Sequence, residues 1–254
     1  MSSALDPWNA LRTLTAARIA QGRAGVSMPT APQLAFQLAH AQARDAVHVA
    51  LDAAALAGAL PAPSLRVHSR AADRQTYLRR PDLGRMLDDA SRAVLAAHRG
   101  DHDLCVVLAD GLSAPAIARH GAPFVSMLLA ALPSLRVAPL VIAEQARVAL
   151  GDDIAVALGA KLVVVLIGER PGLSSPDSMG IYMTWAPAVG LTDERRNCIS
   201  NVRPEGLGYA EALDGLLYLI EGAQRLGLSG IVLKDERAAG GTGLARLSPA
   251  LKAT

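Results

Sequence analysis

The run Leu104-Cys105-Val106-Val107-Leu108, continuing into Ala109-Asp110-Gly111-Leu112-Ser113, decides the fold. An unbroken apolar run with no polar face is the pattern of a parallel strand covered by helices on both sides. The Asp-Gly turn then passes the chain to a helix expected over Ala114 to about Ala131. Downstream, Val137–Ile142 reads as a strand, Val148–Leu158 as a helix and Leu162–Ile167 as a strand. Ile181–Trp185 reads as a further strand, Tyr209–Leu226 as a helix and Gly230–Leu233 as the last strand. Strand and helix alternating at these spacings predict an α/β fold with a doubly wound, mostly parallel, Rossmann-like sheet.

Upstream, the pattern is helical. Asp6-Pro7 is a good helix opening, and that helix is expected to run to about Ala20 and stop at Gly22 and Gly25. A second helix is expected through LAFQLAHAQARDAVHVAL after Thr30-Ala31-Pro32. ALPAPSLRVH, with Pro61 and Pro63, reads as a linker, and Asp82 is expected to cap a third helix, LGRMLDDASRAVLAAH. The division predicted is a helical N-terminal extension (1–100), an α/β domain (101–235) and a loose tail (236–254).

Composition bounds the function. Of 254 residues, 51% are hydrophobic and only 3% aromatic, which excludes bulk disorder and leaves few stacking platforms for single-stranded nucleic acid. Residues 1–100 hold 12 Arg against 7 acids, and the rest 13 Lys and Arg against 16 acids, so no concentrated basic stripe for DNA exists. The most apolar stretch, Ala122 to Ala143, is interrupted by Pro123, Pro133, Pro139 and Arg136, a combination unsuited to a bilayer span. The two cysteines, Cys105 and Cys198, permit no disulfide framework, and MSSALDPWNALRTL carries no secretory pattern, so the expected location is the cytoplasm.

Catalytic motifs are sparse. GTGLAR (241–246) lacks the third glycine of a dinucleotide fingerprint. Gly111-Leu112-Ser113-Ala114-Pro115 is a near miss for a nucleophile elbow, and no His follows His120 to complete the usual order. Ser113 reads better as a helix cap and Asp110 as a residue at the carboxyl end of a strand. The six histidines form no metal-binding spacing; His40 and Arg44 share one helix face, read as solvated or an interface. The dense region lies between Ile167 and about Gly206. It is about 40 residues rich in Gly and Pro, following a buried strand at the edge where such sheets bind ligands. Glu169 and Cys198 there suit a binding rim but make no catalytic set. A free-standing α/β hydrolase using Asp110, Ser113 and Glu169 stays open as the alternative.

GERPGLSSPDS (168–178), RNCISNVRPEGL (196–207), YLRRPDLGRML (77–87), LADGLSAPAI (108–117) and LAHAQARDAV (38–47) together resemble the small subunit of ethanolamine ammonia-lyase, in order over roughly 7–235. The resemblance implies a larger TIM-barrel partner subunit in a hetero-oligomer, with adenosylcobalamin held where the two meet. It implies conversion of ethanolamine to acetaldehyde and ammonia, with the substrate chemistry chiefly on the large subunit. No catalytic or metal-ligating residue is then expected on this chain, no nucleic acid or membrane partner, and a bacterial microcompartment where the host makes one. The family's cofactor contacts map onto Val148 in QARVALGD, Glu169 in GERPG and Cys198 in NCISN. One check is independent of the resemblance: no His here has Asp two residues before it, so the D-x-H-x-x-G motif that supplies cobalt's lower ligand is missing. A bound cobalamin is therefore expected to be base-on.

Overall fold

In the computed structural model, which describes residues 9–15 and 17–237, six strands form one sheet. They are β1 (Ser64–His68), β2 (His102–Ala109), β3 (Leu140–Glu144), β4 (Ala160–Gly168), β5 (Met179–Trp185) and β6 (Asn197–Val202), in the spatial order β1-β3-β2-β4-β5-β6. The pairs from β1 to β4 are parallel, and β5 and β6 add an antiparallel edge. The α/β, mostly parallel sheet expected from the apolar runs is the one observed.

The eight helices are α1 (Asn9–Arg12), α2 (Thr30–His48), α3 (Ala53–Ala59), α4 (Arg74–Arg79), α5 (Asp89–Ala96), α6 (Ala114–Ala131), α7 (Leu150–Leu158) and α8 (Tyr209–Leu226) among the described residues. Side-chain alternation along the central strands divides the core. Leu104, Val106 and Leu108 of β2, with Leu162, Val164 and Leu166 of β4, pack under α3, α6 and α8. Cys105, Val107, Val163 and Val165 pack under α5 and α7. Both faces of β2 and β4 are thus sealed, which is why these strands lack polar positions.

Several sequence expectations need correction. The stretch read as a linker contains β1, which pairs in parallel with β3, so the first hundred residues supply a strand to the sheet. Pro61 and Pro63 disguise it, but both precede the strand and leave its ladder intact. The first helix reaches only Arg12 instead of about Ala20. Leu11 and Leu14 stay exposed, so these leucines bury no apolar face that would prolong it. Asp82 does not cap a helix; its carboxylate accepts from Arg80 at 2.9 and 2.6 Å, and Leu83–Arg85 is a single 3-10 turn. The helix begins later, at Asp89, capped by Asp88 accepting from the Ser91 amide at 2.7 Å. Gly230–Leu233 is a turn and not a strand, and β6 emerges from the segment read as irregular. The Asp6-Pro7 opening, GTGLAR and nearly all of the tail lie outside the described residues.

β2 leads to α6 on one face of the sheet and its neighbour β3 leads to α7 on the other. The two loops diverge, and a crevice opens at the carboxyl ends of β2, β3 and β4, the place where folds of this kind bind ligands.

Candidate functional site: a cavity at the carboxyl edge of the sheet

A cavity of about 410 Å³ fills that crevice. Gly111 and Leu112 enter from the end of β2, Arg147 and Val148 from the end of β3, and Ile167 to Arg170 from the end of β4. Tyr77, from α4, and Tyr182, from β5, complete the wall. Val148 and Glu169, separated by a whole helix and strand in sequence, therefore share one cavity. Cys198 lies one strand further out. It pairs across the β5–β6 ladder with Tyr182, so it adjoins the cavity through that ring. Its thiol is free and exposed, 3.3 Å from the Ser200 hydroxyl. Burial lifts the Tyr182 phenol above its ordinary range, and the neighbouring Cys198 adds to the effect.

The sheet fixes Glu169 from behind. Its amide donates to the Ser178 carbonyl at 2.9 Å. Its Oε2 accepts from the Ser178 hydroxyl at 2.5 Å and from the Asn201 amide at 3.2 Å. Neither Arg170 nor Arg203 pairs with it; Arg203 reaches Asp177 and Glu205 instead. One carboxylate oxygen is thus held by Ser178, just before β5, and by Asn201 of β6, which fixes the direction of the group.

Arg147 and Tyr77 were not singled out by sequence. The Arg147 guanidinium lies 4.2 Å from the centre of the Tyr77 ring, and its Nη2 donates to the Tyr77 carbonyl at 3.1 Å. Its Nε is buried without a hydrogen-bond partner among the described residues. Arg74 meets the same ring at 4.7 Å. The available signal was position: Arg147 directly precedes Val148 at the carboxyl end of β3. Burial raises the Tyr77 phenol to about 12, so it stays a donor, to the Ala146 carbonyl at 3.2 Å.

Asp110, Ser113 and Glu169 are not assembled as a hydrolytic set. Ser113 is fully buried and its hydroxyl donates to the Pro176 carbonyl at 2.8 Å. It stands at the N-cap position of α6 but makes no capping bond, contrary to the expectation. Both Asp110 oxygens accept backbone amides, from Gln145 at 2.9 Å and Ala146 at 3.0 Å. His120 is buried elsewhere, its Nδ1 at 2.6 Å from the Tyr209 hydroxyl, and burial lowers its pKa. His40 and Arg44 are both exposed on α2, on the face read as solvated or an interface.

The family model described as ethanolamine ammonia-lyase light chain (EutC) matches residues 5–234. The chain belongs to the ethanolamine ammonia-lyase small-subunit family. Among its relatives, the ethanolamine ammonia-lyase small subunit of Ralstonia nicotianae is 58% identical, over 91% of this chain and 88% of that protein. That of Pseudomonas aeruginosa is 57% identical over 92% and 89%, and that of Azotobacter vinelandii 57% over 91% and 89%. Membership as a small subunit of ethanolamine ammonia-lyase implies a large-subunit partner in a lyase complex. No helix among the described residues is long and apolar enough to cross a bilayer.

Proposed function

We propose that this chain forms one wall of a base-on adenosylcobalamin site where it meets the large, TIM-barrel subunit of ethanolamine ammonia-lyase. The observation that carries this reading is the shared cavity: Val148 and Glu169 line it together, and Cys198 adjoins it through Tyr182. The donor set fits the group. A corrin presents a rim of carboxamides, which both donate and accept, and the cavity offers a carboxylate acceptor in Glu169 and a cationic donor residue in Arg147. Val148 gives apolar contact, and Cys198 packs as a small polarizable group. No cobalt ligand is assigned to this chain, in keeping with base-on binding.

The cofactor supplies the radical that opens the rearrangement of ethanolamine to acetaldehyde and ammonia. This chain's residues bind and orient it; the groups acting on substrate belong to the large subunit. Residues 1–100 carry the packing surface for that partner, with α2 at its centre: Leu34, Phe36 and Leu38 are exposed on it, and only Ala39 and Ala46 of α2 are buried. The complex works in the cytoplasm, inside a microcompartment in hosts that make one.

Titrating cyanocobalamin into the assembled complex, followed by corrin absorption, tests the site. Val148→Ala and Cys198→Ala are expected to weaken binding by roughly 1–2 kcal/mol each while slowing saturated turnover less, because contacts equal in ground and transition states act on affinity. Normal affinity in both variants would refute the assignment.

A further inference from the structure

We infer that Asp110 is a positioning residue for the cofactor wall: its buried carboxylate holds the turn that delivers Arg147 and Val148 to the cavity. The inference rests on the cobalamin reading above and extends it to a residue that does not touch the cofactor.

Asp110 follows β2 and is 3% exposed. Its two oxygens accept from consecutive amides of the β3 exit turn, Gln145 N at 2.9 Å and Ala146 N at 3.0 Å. Gln145 stands at φ 51°, a left-handed conformation that a residue with a Cβ adopts only at a cost. The doubly bonded carboxylate is what compensates that strain. Other groups clamp the same turn. The Tyr77 hydroxyl donates to the Ala146 carbonyl at 3.2 Å, and the Arg147 amide donates to the Gly84 carbonyl at 2.8 Å. Arg74 Nη1 lies 3.6 Å from Asp110 and donates to the Gly111 carbonyl at 2.8 Å, supplying the counter-charge. The residues immediately after the clamp, Arg147 and Val148, are the ones that line the cavity. A carboxylate one strand away thus sets where the cofactor wall stands.

Three variants test this in the complex reconstituted with the large subunit, with cyanocobalamin as the probe and melting temperatures measured alongside. Asp110→Asn keeps one acceptor but sets an amide N–H against a backbone N–H. Gln145→Val strains the same turn without touching Asp110, and so serves where D110N fails to fold. Gln145→Gly accepts the positive φ freely. The cyanocobalamin dissociation constant is expected to rise roughly tenfold for D110N and for Q145V. It is expected to stay near wild type for Q145G, and Q145G added to D110N recovers part of the loss. A lower melting temperature with an unchanged dissociation constant in D110N and Q145V overturns the positioning role. Val148→Ala separates the two failures. If V148A weakens binding while D110N and Q145V do not, only the positioning role falls; if V148A also binds normally, the cobalamin reading falls with it.

Discussion

Arg196 and Asp152 face each other at 2.8 Å with both side chains almost wholly buried, tying the segment before β6 to the first turn of α7. Arg196 also donates to the Leu191 carbonyl at 2.8 Å, so the segment leading to Cys198 hangs on one guanidinium. Burial pushes the Asp152 carboxyl up to about 6, although the Arg196 charge opposes the rise. The folded chain therefore holds this proton more tightly than the unfolded chain, whose carboxyl titrates at about 4. The stability this group contributes is fully present below about pH 4 and is lost as pH rises toward about 6. Arg196→Met removes the opposing charge. The loss should then extend to higher pH, and stability near neutrality should fall by about 3–5 kcal/mol. Urea denaturation across this range measures both effects, and a loss under about 1 kcal/mol would show that the pair is not needed.

The two cysteines should separate cleanly. Burial pushes the Cys105 thiol up to about 12, between sheet and helices, while Cys198 lies exposed. Since the thiolate is the reactive form, a disulfide reagent should modify Cys198 alone in the native chain and reach Cys105 only after denaturation. Cobalamin added to the complex should slow the Cys198 reaction. Equal rates for both thiols would contradict the core assignment.

Much of the fold is legible in the sequence because β2 and β4 are sealed on both faces, which demands unbroken apolar runs, and because α8 spans Tyr209–Leu226 as its periodicity implies. The edges are not legible. In β1 only Val67 is buried, and β6 buries only Val202, so neither strand carries enough apolar residues to stand out from a loop. The cavity is half legible. Glu169 is marked by its place after a buried strand, but its meeting with Val148 depends on β2 lying between β3 and β4, which no local pattern encodes. Arg147 and Tyr77 were missed because their roles come from stacking across the fold.

Gly111 tests how closely the cavity floor is built. Its φ is 57°, and a Cβ there would overlap the Gly168 carbonyl and the Ile167 side chain. Gly111→Ala combines backbone strain with overpacking and should cost about 3 kcal/mol or more. Calorimetric melting of the free chain reads this directly; a variant as stable as wild type would mean that β2 and β4 do not approach so closely at this edge.

Glu169→Gln in the reconstituted complex tests the central claim most directly. The Gln carbonyl can keep accepting from the Ser178 hydroxyl and the Asn201 amide, the two bonds made by Oε2, so the melting temperature should hold. The other carboxylate oxygen, which takes no protein hydrogen bond among the described residues, becomes an N–H₂ donor. If Glu169 receives a hydrogen bond from cobalamin, the cyanocobalamin dissociation constant rises roughly tenfold or more at unchanged melting temperature. An unchanged dissociation constant, with or without a thermal loss, would contradict the account.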